Sequence, residues 1–378
     1  MKINPFFASL VLGHLAAYGM GPYYIWPILL ICLSLYWVNL TSFAQDKAWK
    51  SFLSGFLFGF GYFVSSLWWI GNALLVGGNE FKWAYPLAAV GLPLLLSFFP
   101  MTATGLVRVM APGRSLKAFG TFLVFMFLAE YARGTLFTGF PWNLFGMVWT
   151  DNLAMMQILS VGGIYLLSAL TIFMFTAPAF AMKGSGHPVL RWGFLFLSMI
   201  CGLCLYAFGT QRLASHPTRY NENVVVQMIQ PNIKQEDKWN PEKRWDNFRE
   251  TVSLLQTVDS WKNAKTRVII LPETTLTYHD FQTWQAIDSL KGRLSGYSED
   301  YIYLLSGALL RDEAGYHNSL IVVNQNLDIL DSFDKFHLVP FGEYIPFQDY
   351  IPLSTVTSFS GFVEGPGPRT LSYPHLPS

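Results

Sequence analysis

The chain has 378 residues, 25 basic and 24 acidic side chains and seven histidines, for a formal net charge of +1. Only 13% of its residues are charged against 52% hydrophobic, and its mean hydropathy is +0.32. Those figures exclude a uniformly soluble globule, which carries about 25% charged residues, and a basic nucleic-acid-binding chain.

The averages conceal a division. Residues 1–211 hold 14 charged side chains, 10 basic and 4 acidic, whereas residues 212–378 hold the other 35, with 20 acidic against 15 basic. The expected architecture is a multi-span α-helical membrane bundle over residues 1–211 and an extracytoplasmic α/β domain over residues 212–378. Nucleic acid is not expected as a partner of the net-acidic second part.

Crossing a hydrocarbon core takes about 20 apolar residues. The apolar runs predict about seven helices, near residues 5–20, 22–40, 52–75, 84–107, 117–132, 153–182 and 192–210. A cleaved signal peptide over residues 1–20 is the weaker reading, because Gly13, His14 and Tyr18 interrupt the run and no small-x-small site follows. Basic residues in short loops set orientation. With the N-terminus inside, one side carries Lys2, Lys47, Lys50, Arg108, Arg114, Lys117, Lys183 and Arg191, and the other only Lys82 and Arg133. Seven spans then place the charged domain on the far side, the periplasm of a bacterium.

Cys32, Cys201 and Cys204 all fall inside apolar runs. Although Cys201-Gly202-Leu203-Cys204 has redox-motif spacing, no βαβ pattern flanks it, and buried small hydrophobes are the preferred reading. Glu130 and Arg133, one turn apart, read as a pair satisfying itself at a helix end rather than part of an ion pathway, which calls for several intramembrane carboxylates. Gly139-Phe140-Pro141-Trp142-Asn143-Leu144-Phe145-Gly146 breaks helix at interfacial depth. It is either an aromatic girdle or a re-entrant lip that guides lipid.

In the second part, Val224–Gln230 reads as a buried strand ending at Pro231. Asn240-Pro241 starts a helix with apolar spacing at Trp245, Phe248, Val252 and Leu255. Arg267–Leu271 is a second buried strand that stops at Pro272 and projects Glu273 from its carboxyl end, where α/β sheets place their sites. Tyr301–Leu310 and Ser319–Asn324 supply further strands. Glu273 is the candidate general base. Lys335 can stabilise an oxyanion or hold a thiolate, and Glu343 can orient either of them. No metal-ligand cluster, phosphate-binding glycine loop or Gly-x-Ser-x-Gly elbow occurs, so no cofactor is expected.

Four stretches carry a resemblance: Thr138-Gly139-Phe140-Pro141-Trp142; Gln230-Pro231-Asn232-Ile233 with Trp239 downstream; Leu271-Pro272-Glu273; and Lys335–Pro346. Through them the chain resembles apolipoprotein N-acyltransferases, membrane members of the nitrilase (carbon–nitrogen hydrolase) superfamily. The resemblance implies a nitrilase-like αββα sandwich and a Glu-Lys-Cys triad in which Glu273 is the base and Lys335 the lysine. It implies Glu343 as the supporting glutamate and Trp239 as a substrate-binding residue near the entrance. The implied reaction moves an acyl chain from a phosphatidylethanolamine-like phospholipid to a cysteine thioester, then to the N-terminal amine of a diacylglyceryl-cysteine lipoprotein. A monomer in the bacterial inner membrane is expected.

The family cysteine lies downstream of the Phe-Gly-Glu motif, beyond what the 378 residues contain. On this reading residues 212–378 are the N-terminal part of an incomplete domain, and the chain alone is expected to be inactive. Two other readings remain at this stage. One is a membrane-tethered amidase using water as acceptor, which the long bundle disfavours; the other is a non-catalytic lipid- or lipoprotein-binding membrane protein.

Overall fold

Hydrocarbon offers no hydrogen bonds, so apolar segments that enter it must satisfy their own backbone and become helices. The computed structural model describes residues 4–75, 82–234, 237, 240–255, 264–273, 276–277, 284–294, 301–340, 343–344, 361–374 and 376. The chain divides into two units, Met1–Thr218 and Arg219–Ser378.

The first unit is helical. Its helices are α1 (Pro5–Ala16), α2 (Trp26–Ser42), α3 (Trp49–Leu67), α4 (Tyr85–Leu96), α5 (Phe98–Met110), α6 (Leu116–Thr135), α7 (Leu153–Met156), α8 (Leu159–Lys183) and α9 (Pro188–Ser215). Prolines at the start of α1, α2, α4 and α9 fall where a missing N–H does no harm. Among the described residues, four helical stretches are long and apolar enough to cross a membrane: Trp49–Leu75, Lys82–Met110, Leu159–Lys183 and Pro188–Ser215. Pro5–Gly19 and Trp26–Ser42 are apolar but shorter.

Two runs predicted as continuous helices are interrupted. The run over 84–107 breaks at Ser97, between α4 and α5, because Pro100 has no N–H to offer the carbonyl four residues back. The run over 153–182 is divided between α7 and α8, and α8 is itself kinked at Gly162-Gly163, where Gly163 takes φ 64° and ψ −169°. Cys204, expected buried, is exposed on α9. Phe196, Met199 and Leu203 are exposed on the same helix, which fits a helix whose outer face meets hydrocarbon.

Helices α1 and α3 pack closely, and glycine makes it possible. A Cβ on Gly13 would run into the Phe58 carbonyl, and one on Gly61 into the Leu10 carbonyl. Small residues let backbones approach where the hydrophobic effect cannot drive helices together. A polar seam closes the same contact: the hydroxyls of Ser9 and Ser54 lie 2.8 Å apart, and Asn39 Nδ2 donates to Ser9 Oγ at 2.9 Å. Gly61→Val is expected to destabilise the bundle by about 1–3 kcal/mol through overpacking. Thermal unfolding in detergent is the check, and an unchanged midpoint would refute the close packing.

The second unit is built on a six-stranded mixed sheet. Its strands are β1 (Val224–Met228), β2 (Thr266–Ile270), β3 (Leu276–Thr277), β4 (Tyr301–Arg311), β5 (Tyr316–Asn324) and β6 (Ile329–Asp334). The order is β1-β2-β4-β5-β6, with β3 paired on β4. The pairings among β1, β2 and β4 are parallel, as the strand–helix–strand order predicts, whereas β4-β5 and β5-β6 are antiparallel. A tight turn explains the switch: Asp312 Oδ1 accepts from Ala314 N and Gly315 N, and Gly315 has φ 145°. Phe248 and Val252 of one helix (Arg244–Ser253) and Leu290 and Leu294 of another (Trp284–Leu294) pack with Ile269, Leu304, Ile321 and Val323 in one apolar core.

Candidate active site

Three short polar segments meet at one end of β5. After β2, Leu271 N still donates to Leu305 O at 2.8 Å. Pro272 has no N–H and ends the ladder, so Glu273 stands beyond the strand's carboxyl end. On β5, Asn318 lies opposite Leu309 of β4 and is only 7% exposed. Its Nδ2 is 2.6 Å from Glu273 Oε1 and 3.0 Å from Glu343 Oε1. Lys335 follows directly on β6. Its main-chain N–H donates to Asn318 O at 2.8 Å and its carbonyl accepts from Gly365 N at 3.0 Å. Lys335 Nζ then reaches Glu343 Oε1 at 2.8 Å.

Glu343 is fixed from several directions. Its Oε2 accepts from Val339 N at 2.8 Å, while its own N–H donates to Val339 O at 2.8 Å. Phe362 N donates to its carbonyl at 2.8 Å. Gly365 allows the chain to return past Lys335, since a Cβ there would collide with the Asp334 carbonyl. On the opposite face of β5, Ser319 Oγ donates to Asp334 Oδ1 at 2.6 Å, and His317 Nε2 lies 3.0 Å from Asp312 Oδ2. Those contacts anchor the strand end from which Lys335 departs.

Of the residues singled out in the sequence, Glu273, Lys335 and Glu343 share this cluster. Trp239 lies outside the described residues, as do Phe341, Gly342, Ile345 and Pro346 of the Lys335–Pro346 segment. Asn318 escaped notice. Its signal was present in His317-Asn318-Ser319, three polar residues that are buried at the head of an otherwise apolar strand. Among the described residues, no group of three or more His, Cys, Asp or Glu is arranged to hold a metal ion.

The cluster sets one ammonium against two carboxylates. Burial is the largest single influence on the Glu343 carboxyl and pushes its pKa up, but hydrogen bonds from Lys335, Val339 N–H and Asn318 together hold it below the ordinary glutamate value. A folded pKa below the unfolded one stabilises the fold above the unfolded value, and that contribution is lost as pH falls through the folded value. Glu343→Gln is therefore expected to lower the unfolding midpoint at neutral pH. The gap to the unchanged protein should close below the ordinary glutamate pKa of about 4.3. A gap that persists in acid would contradict this.

The bundle's polar pair is of another kind. The side chains of Arg133 and Glu130 are 1% and 6% exposed, and Arg133 Nη2 donates to Glu130 Oε1 at 2.9 Å. Arg133 Nη1 donates to the carbonyls of Phe140 (2.8 Å) and Trp142 (2.6 Å), and Glu130 Oε2 accepts from Phe145 N at 2.7 Å. The pair thus pins the 137–145 loop, in which Phe137, Thr138 and Asn143 hold positive φ without being glycine. The loop presents Trp142, half-exposed, 5.1 Å from the Trp69 ring.

Comparison with known proteins places this architecture. The profile of the apolipoprotein N-acyltransferase N-terminal domain matches residues 12–177. An apolipoprotein N-acyltransferase of Rhodopseudomonas palustris is 31% identical over 386 aligned residues, covering 98% of this chain and 71% of the relative. Those of Brucella melitensis and Sinorhizobium medicae are 38% and 35% identical, each match covering 77% of this chain and 54% of the relative. The chain spans about half the length of several curated relatives it matches. A helical membrane part, an α/β domain and these matches along nearly the whole chain lead to one conclusion: the chain belongs to the apolipoprotein N-acyltransferase family.

Proposed function

We propose that the intact protein transfers an acyl chain from a phosphatidylethanolamine-like phospholipid to the N-terminal amine of a diacylglyceryl-cysteine lipoprotein. It works as a monomer in the bacterial inner membrane. Residues 1–211 form the bundle, and residues 212–378 belong to a periplasmic nitrilase-like domain. The observation that carries this reading is the Glu273–Asn318–Glu343–Lys335 cluster in a chain of this family.

In the first step Glu273 takes the proton of a cysteine thiol, and the thiolate attacks the ester carbonyl of the phospholipid. Lys335 stabilises the developing oxyanion, while Glu343 holds the ammonium in place. Collapse breaks the C–O bond. The lysophospholipid leaves as an alcohol with the proton from Glu273, and the acyl chain stays as a thioester. In the second step the lipoprotein amine attacks that thioester and the C–S bond breaks. The amine proton passes to Glu273 and then to the departing thiolate. The exchange is redox-neutral, and no cofactor is invoked.

Residues 212–378 contain no cysteine; their part is the base, the ammonium and the fixed spacing between them. Trp239 is assigned to the substrate side. Two lipid-anchored reactants meeting in one membrane-bound site avoid much of the entropy of encounter, and the covalent intermediate divides one difficult transfer in two.

The test supplies vesicles containing the intact protein with acyl-labelled phosphatidylethanolamine and a diacylated lipopeptide. Label is expected as an amide on the peptide's N-terminus. Labelled free fatty acid with unmodified peptide would instead identify a hydrolase, and label that never leaves the phospholipid would overturn the reading.

A further inference from the structure

We propose that Asn318 is the positioning residue of this site: a single side-chain amide sets the spacing between Glu273 and Glu343. The inference rests on the function proposed above. A primary amide nitrogen carries two hydrogens and a carboxylate accepts only, so the nitrogen, not the oxygen, must face the two glutamates. One hydrogen goes to each of them, at 2.6 Å and 3.0 Å. The same residue's carbonyl accepts the main-chain N–H of Lys335 at 2.8 Å. One strand residue thus touches the proposed base, the supporting glutamate and the backbone of the lysine.

Its place suits the task. Asn318 is buried in β5, flanked by β4 through full antiparallel pairing and by β6 through the Ser319–Asp334 register. The charged groups facing its amide are Glu273 after β2, Lys335 after β6 and Glu343 in the following turn. On the other face of β5, His317 lies between Asp312 and Asp334, 3.0 Å from the first and 3.9 Å from the second. Two carboxylates on one nitrogen repel each other, and the shared donor with the Lys335 ammonium on Glu343 offsets that repulsion. A base held in place is what proton removal from a thiol requires.

The experiment compares unchanged protein with Asn318→Asp and Asn318→Ser, reading thioester formation and amide transfer in vesicles with labelled phosphatidylethanolamine across pH. Asn318→Asp keeps the shape but turns the donor into a third carboxylate. It is expected to slow acylation by about a hundredfold, with the KM for phospholipid little changed. The acid limb of the rate profile should move to higher pH, because three carboxylates now compete for a proton. Asn318→Ser keeps one donor hydrogen and should show a smaller shift in the same direction; it also serves if the aspartate variant fails to accumulate. A rate within threefold of the unchanged protein, or an acid limb that does not move in whichever variant folds, overturns the inference alone. Unchanged protein that transfers no acyl chain overturns the function on which it rests.

Discussion

Lys335→Met in the intact protein is expected to slow acyl transfer by at least about a hundredfold, the range seen when one oxyanion-stabilising donor is removed. Methionine preserves the bulk of the stem and removes the ammonium. The loss to the fold should be small, because the Lys335 side chain is 36% exposed and a partly solvated pair contributes little to stability. Glu343, 13% exposed, would still accept from Val339 N and Asn318 Nδ2. Lys335→Arg should not restore the rate, since a planar fork cannot take the place of a compact ammonium. The measurement is label transfer in vesicles beside a thermal melt of the same preparation. A methionine variant that folds and transfers within threefold of the unchanged protein would remove the lysine from the chemistry.

Arg133→Met should be the costliest single change in the bundle. It leaves Glu130 buried without its counter-charge, held by Phe145 N–H and the Ser168 hydroxyl, and it strips the carbonyls of Phe140 and Trp142 of the guanidinium. Breaking one side of a buried pair costs about 3–5 kcal/mol. The double variant Glu130→Leu with Arg133→Met removes the orphaned charge and should recover part of the loss. Recovery stays partial because the loop carbonyls still lack their donor, and a double-mutant cycle on detergent melts separates the two contributions. A single-variant loss under about 1 kcal/mol would mean that water already serves the pair.

Much of this was legible in the sequence. Uncharged runs announced helices, and Pro272 announced where β2 stops and why Glu273 projects. The interruptions were harder to see. Hydropathy is blind to Pro100 withholding one N–H and to Gly162-Gly163 leaving helical geometry, since both lie in uniformly apolar runs. β6 is hidden because Ile329-Leu330-Asp331-Ser332-Phe333-Asp334 has no clean alternation; among the described residues it is an edge strand, exposed at its first two positions and half-buried at the other four, a setting in which charged residues are favoured. The antiparallel return of β5 depended on a side chain, Asp312, capping its own turn. In the site, the three charged residues drew attention by type and motif. Asn318 carries no charge, and its role exists only once β4, β5 and β6 are in register.

Sequence separation also gives the cluster an expected order of assembly. The Lys335–Glu343 contact closes a gap of eight residues, Asn318–Glu343 one of 25 and Glu273–Asn318 one of 45. Loop-closure entropy rises with length, and contacts between distant residues form late. The ammonium therefore finds its glutamate early, as a local event near the end of β6. Glu273, whose contact spans the longest stretch of chain, is expected to arrive when β2 docks against the β4–β5 hairpin. The proposed base is thus the last of the charged groups to join and the first to leave if β2 loosens.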